Sequence, residues 1–157
     1  MSCDVDEYLK LKTQNQALMN ENEAFNELKQ ISFTLELPKH LVVSLNAIYA
    51  GSHWRKRQQI KQGYLALTKG LFADLKERYG AFDEPCEIAF DFSGTRIFDC
   101  DNHAFMGKMI QDCLVAAGII TDDTAKHLAK VSYAKSPKMK GQKGVSVAVE
   151  IKQWRNS

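Results

Sequence analysis

Asp99 and Asp101, one residue apart in the segment Phe98-Asp99-Cys100-Asp101-Asn102, and a second acidic pair, Asp122-Asp123, about one helix further along, are the side chains best suited to chemistry. On a strand, residues i and i+2 point to the same side, so Asp99 and Asp101 would repel each other unless a cation relieved them. Carboxylate oxygens of this kind suit a hard divalent ion, Mg²⁺ or in its place Mn²⁺. Such an ion can activate a water and neutralise phosphoryl oxygens, which is the chemistry of phosphodiester hydrolysis. On a helix turning about 100° per residue, Asp101, Lys108 and Asp112 stay on one face, because separations of seven and eleven are near whole turns. Lys108 among these carboxylates could stabilise developing negative charge or hold a phosphate.

The surrounding pattern supplies elements to carry these groups. Ile31, Phe33, Leu35 and Leu37 alternate with polar residues until Pro38, which predicts a strand. The basic stretch Ser52 to Lys61 leads into Tyr64, Leu65, Leu67, Leu71, Phe72 and Leu75 at helical spacing, with Gly63 as a weak point and Gly80 as the end. Cys86, Ile88, Phe90 and Phe92 form a second alternating run, and a turn at Gly94 predicts a hairpin returning through Ile97 to Asp101. Asp101 or Asn102 can cap a helix carrying Phe105, Met109, Ile110, Cys113, Leu114 and Ala117, which Gly118 terminates. After a short turn near Lys126 and His127, alternating runs over Leu128 to Lys135 and Val145 to Ile151 predict two strands, with Pro137 to Gly144 as a basic hairpin tip. The expected class is α/β or α+β, a mixed sheet covered by helices.

Residues 1–30 read differently from the rest. They are rich in Asn, Gln, Glu and Lys, with Leu11, Leu18 and Phe25 seven apart and Asn15 and Asn22 at intervening heptad positions. The segment is expected to be a helical extension or arm, with a dimer zipper as the competing possibility. The 157 residues, 45% hydrophobic and 25% charged, suit one domain over 31–157 beyond that arm. A net charge of +2 is too small to announce a nucleic-acid binder, although local clusters can outweigh the total. The four cysteines lack CxxC spacing, no apolar stretch spans a bilayer and no leader pattern opens the chain, so a soluble, reduced, cytoplasmic protein is expected.

The order of these motifs resembles the RusA-type Holliday junction resolvases: an Asp-x-Asp-Asn step, a helix bearing Lys and then Asp-x-Leu, a Gly, and an Asp-Asp pair. Here the sequence reads Asp99-Cys100-Asp101-Asn102, Lys108, Asp112-Cys113-Leu114, Gly118 and Asp122-Asp123. Leu37-Pro38 and Ser44-Leu45-Asn46 are similar to the family's strand, proline and Ser-x-Asn opening. The likeness covers roughly residues 31 to 152. It implies a RusA-like fold, Asp99, Asp101 and Asp123 as metal ligands, and Lys108 as the essential lysine. The family spaces its lysine four residues after the second Asp, whereas Lys108 lies seven after Asp101, a turn further along the same helical face. Further implications are Mg²⁺-dependent endonuclease activity on four-way DNA junctions, a homodimer making paired symmetric nicks for recombination and repair, and the cytoplasm of a bacterial host, since such resolvases are often encoded by phages or prophages.

Less specific readings compete at each position. Asp101, Asn102 and the Asp122-Asp123-Thr124 run could be helix caps alone. Arg55, Lys56, Arg57 and Lys61, with Trp54 interleaved, could grip phosphates and stack on a base, or form a solvated helix face. Lys138, Lys140 and Lys143 could add to a DNA footprint or keep an exposed loop soluble. His103, His127 and the cysteines lack zinc-ligand spacing and are expected to be packing or surface residues. Two other functions stay open: a protein that binds branched or single-stranded DNA without cutting it, and a nuclease of broader taste acting on flaps or forks.

Overall fold

The computed structural model describes residues 3–26, 28–51, 53–95 and 97–155. Ser52 and Arg96 fall outside the described residues, as do the side chains of Leu18, Asn22 and Phe25, on which part of the heptad reading rests. The elements run in the order α1 (Cys3–Asn26), β1 (Gln30–Leu37), a 3-10 turn (Lys39–Leu41), α2 (Leu45–Tyr49), α3 (Trp54–Tyr79), β2 (Cys86–Gly94), a second 3-10 turn (Cys100–His103), α4 (Ala104–Ala116), β3 (Leu128–Ser136) and β4 (Val145–Gln153). The fold is α+β, a mixed sheet with helices packed on one face. None of the described helices is long and apolar enough to cross a membrane.

The four-stranded sheet has the order β1-β4-β2-β3. β4 runs antiparallel to both β1 and β2, while β3 is parallel to β2. Alternation buries one face of each central strand: Cys86, Ile88, Phe90 and Phe92 on β2, and Val145, Val147, Val149 and Ile151 on β4. Ile31, Leu35 and Leu37 of β1 extend that layer, and Tyr64, Phe72, Leu75, Met106, Ile110 and Leu114 of the helices close over it. Each fully buried side chain of this size contributes roughly 1.5–3 kcal/mol by leaving water.

Both expected hairpins are absent among the described residues. After β2 the chain runs through Ile97 to Asp99 without pairing and enters the 3-10 turn, so Asp99 and Asp101 do not lie on a strand. β3 and β4 are separated by β2, so the Pro137 to Gly144 segment is a crossover over the end of β2 and not a hairpin tip. The Gln142 side-chain amide anchors that crossover by donating to the Ser93 carbonyl and hydroxyl at 3.2 and 3.1 Å. Gly94 is needed beneath it: its φ is 142°, and a Cβ there would meet the Gly144 carbonyl oxygen.

Gly63 is a packing position in the middle of α3, where an added Cβ would lie 2.7 Å from the Leu41 side chain. The Tyr64 hydroxyl donates to the Leu41 carbonyl at 2.7 Å and ties the same two elements together.

Candidate active site

Four pieces of chain surround the proposed site: the second 3-10 turn, the outer face of α4, the Asp122-Asp123 bend and the last residues of β3. His103 fixes the 3-10 turn in place. Its ring is fully buried and stacks on Phe92 with centroids 4.2 Å apart, and its Nε2 accepts from the Phe98 backbone N–H at 3.1 Å. An accepting Nε2 leaves the proton of a neutral imidazole on Nδ1, which has no hydrogen-bond partner among the described residues. Burial pushes the imidazole pKa below its usual value and Lys135 adds to that, against the opposing pull of Asp101 and Asp99.

Asp99 and Asp101 are thereby presented to solvent at the entrance to α4. Neither Asp99 nor His103, the residues that precede the 3-10 turn and α4, makes a side-chain cap bond. Asn102 does not cap α4 either; its Oδ1 accepts from the Asn46 backbone N–H at 3.2 Å. That bond joins the Ser44-Leu45-Asn46 segment to the acidic step. Ser44 meanwhile caps α2, accepting from the Ala47 N–H at 3.1 Å. Asp99 lies 3.8 Å from Lys135 Nζ, but its side chain is 85% exposed, so this pair is a solvated one of small energy.

Lys108 is the centre of the charged face of α4. Its ammonium is 3.1 Å from Asp112 Oδ1, one turn on, and hydrogen-bonds directly to Asp123 Oδ2. The bond to Asp123 raises the Lys108 pKa, with burial opposing and Asp112 reinforcing. The same bond holds the Asp123 carboxyl below its ordinary range. Asp123 is oriented by its own N–H, which donates to Asp122 Oδ1 at 2.7 Å. Lys61 of α3 reaches Asp112 Oδ2 at 3.8 Å, which places it on the acidic face of α4 and apart from the exposed Arg55, Lys56 and Arg57 in the first turn of α3.

The expected shared face is realised for Lys108 and Asp112; Asp101 lies in the tighter-wound 3-10 turn that precedes α4, so the helical count does not run unbroken to it. The structure brings Asp123 to Lys108 and Asp99 to Lys135; it does not gather Asp99, Asp101 and Asp123 into one cluster. Among the described residues no group of three His, Cys, Asp or Glu side chains stands close enough to hold a metal ion. The donors themselves, solvent-facing carboxylate oxygens, are of the type Mg²⁺ takes.

Sequence reasoning passed over two residues of this region. Lys135 pairs with Asp99 and follows Val131 and Tyr133 in the period-2 register, which is the signal that could have found it. Tyr133 packs where a Cβ on Gly107 would come within 2.6 Å of its ring, so the glycine lets α4 lie close to β3. Burial raises the Tyr133 phenol pKa, while a bond to Gln111 and the nearby Lys108 charge act the other way.

The basic residues at the start of α3 surround an exposed aromatic: Trp54 is solvent-facing, and the Arg55 guanidinium lies 5.7 Å from its ring centroid. Lys138, Lys140 and Lys143 are exposed on the crossover. No family model matches the chain, and neither does any curated protein. The likeness to junction resolvases rests on the order and spacing of the motif residues.

Proposed function

We propose that the protein is a Mg²⁺-dependent endodeoxyribonuclease that resolves Holliday junctions as a homodimer, by paired symmetric nicks. The observation that supports it most is a pair of contacts between motif pieces apart in sequence: Asn46 bonded to Asn102 of the Asp-x-Asp-Asn step, and Lys108 of α4 bonded to Asp123. Helix capping alone gives no reason for Lys108 to be clasped between two carboxylates, or for Asn102 to reach a separate segment.

In this reading Asp99, Asp101 and Asp123, which stand apart here with two of them paired to lysines, would have to draw together to hold the metal, with Mn²⁺ as a substitute. When bound, the ion supplies an activated water and neutralises charge on the phosphoryl oxygens. Lys108 offers its ammonium to the scissile phosphate, and Asp112 keeps that lysine aligned when Asp123 is engaged elsewhere. Arg55, Lys56 and Arg57, with Lys138, Lys140 and Lys143, grip the DNA backbone, so affinity falls with salt. Branch recognition comes through DNA shape.

A second reading, a protein that binds branched or single-stranded DNA without cutting it, is favoured by one observation: Asp123 and Asp99 are each paired with a lysine, Lys108 and Lys135. A cleavage assay on a synthetic four-way junction, a fork and a plain duplex, with and without Mg²⁺ or Mn²⁺, separates the two. Metal-dependent symmetric nicks in the junction are expected; tight binding with no nick in either metal would establish the second reading instead. Equal cutting of the fork would point to a nuclease of broader taste.

A further inference from the structure

α1 is a helix of 24 residues, about 36 Å long at the usual rise, and among the described residues it is not one of the elements that pack extensively on the domain. Four Asn, at positions 15, 20, 22 and 26, weaken it as a helix standing alone. An isolated helix of such content is marginal in water, so its formation points to a partner. Its large apolar side chains face solvent: Tyr8 is 65% and Leu11 54% exposed.

The heptad register defines what that partner is. With Leu11 at position d, the a positions are Tyr8, Asn15 and Asn22, and the other d positions in the sequence are Asp4, at the start of the helix, Leu18 and Phe25. Asn at a is well placed only where it meets another Asn, since the amides can then bond to each other. In a parallel, in-register pair Asn15 meets Asn15; in an antiparallel pair a faces d, and the amide would be buried against leucine or phenylalanine. The flanking charges agree with the parallel arrangement. Glu7 at g stands across from Lys12 at e of the next heptad in a second copy, an opposite-charge pair, and both are exposed.

We infer that α1 is an association helix that pairs with α1 of a second copy of this chain as a parallel, in-register two-stranded coiled coil, with Tyr8, Leu11 and Asn15 on its seam. The interface lies outside the proposed nuclease face, so it holds or fails independently of the hydrolytic reading. It assigns a surface to the homodimer, with the two domains tethered at the same end of one rod.

Cysteine cross-linking of the full-length chain tests this. In a background carrying Cys3→Ser and Cys100→Ser, Leu11→Cys and Asn15→Cys are each oxidised and run on a non-reducing gel, with Thr13→Cys as the outward-facing control. Most of the chain is expected at twice the monomer mass for both seam positions, and little for Thr13→Cys. An antiparallel pair could place at most one of positions 11 and 15 opposite itself, so linkage at only one of them overturns the parallel register. Linkage at neither seam position, or equal linkage at all three, overturns the coiled coil. Circular dichroism of each variant confirms that the domain is folded, and the two independent seam sites guard against a local defect in either one.

Discussion

α4 and α1 are both helices with apolar residues at regular intervals, yet the structure treats them oppositely. Phe105, Met106, Met109, Ile110, Cys113 and Leu114 of α4 are buried in the core, whereas Val5, Tyr8, Leu9 and Leu11 of α1 stand in solvent. The difference lies in what each helix finds to cover it. α4 follows a strand and precedes another in the same sheet, so its apolar stripe has a facing surface built by its own neighbours in sequence. Its remaining face carries Lys108 and Asp112, where charge can be used. α1 leads into β1 yet leaves its four exposed apolar side chains uncovered; Tyr8 and Leu11 lie at seam positions of a heptad, while Val5 and Leu9 fall beside and behind it.

The same truncation in the two helices gives the widest contrast. Ile110→Ala, in a fully buried position, is expected to destabilise the domain by about 2–5 kcal/mol in urea unfolding. Gly107→Ala sharpens the point where α4 lies close to Tyr133 of β3. The new methyl presses on Tyr133, costing roughly 1–3 kcal/mol, against about 1 kcal/mol returned by better helix propensity. A net loss of stability is expected, and a net gain would mean that Tyr133 yields freely. Among the charged residues, replacing Lys138, Lys140 and Lys143 together with Ala should leave the fold intact and weaken junction binding. The slope of log affinity against log salt should fall by roughly 0.9 for each phosphate that is no longer neutralised. An unchanged slope would remove the crossover from the DNA footprint. The smallest effect is expected for Leu11→Ala, under about 0.5 kcal/mol on the domain's own unfolding, as for other exposed sites. A loss as large as that of Ile110→Ala would show that α1 packs on the domain.

Much of the fold could be read from residue order, and the misreadings share one cause. Alternation located β1, β2, β3 and β4 because one face of each central strand is buried, a local property of period two. Strand partners are not local. β2 recruits β4 and β3 from the far end of the chain, so Gly94 and the Pro137 to Gly144 segment looked like hairpin turns when neither joins adjacent strands. At the site, Lys108 and Asp112 were found because four residues make one helical turn. Asp101 lies in a 3-10 turn held by the buried His103, a break in the helical count that residue spacing alone does not reveal. Asn102 was weighed as a cap, but its bond to Asn46 depends on α2, a helix of five residues too short to leave a period of its own. Lys135 had its parity in the sequence but no local reason to meet Asp99.

The central claim is that the acidic step at the entrance to α4 serves hydrolysis and is more than a surface turn. Asp101 is exposed and caps neither the 3-10 turn nor α4, so Asp101→Asn should cause little structural change. Purified Asp101→Asn protein should bind a four-way DNA junction as tightly as the parent and fail to nick it in Mg²⁺, a loss of at least about 10²-fold, as for removal of a group acting directly at a reacting centre. Undiminished nicking by Asp101→Asn would contradict the claim.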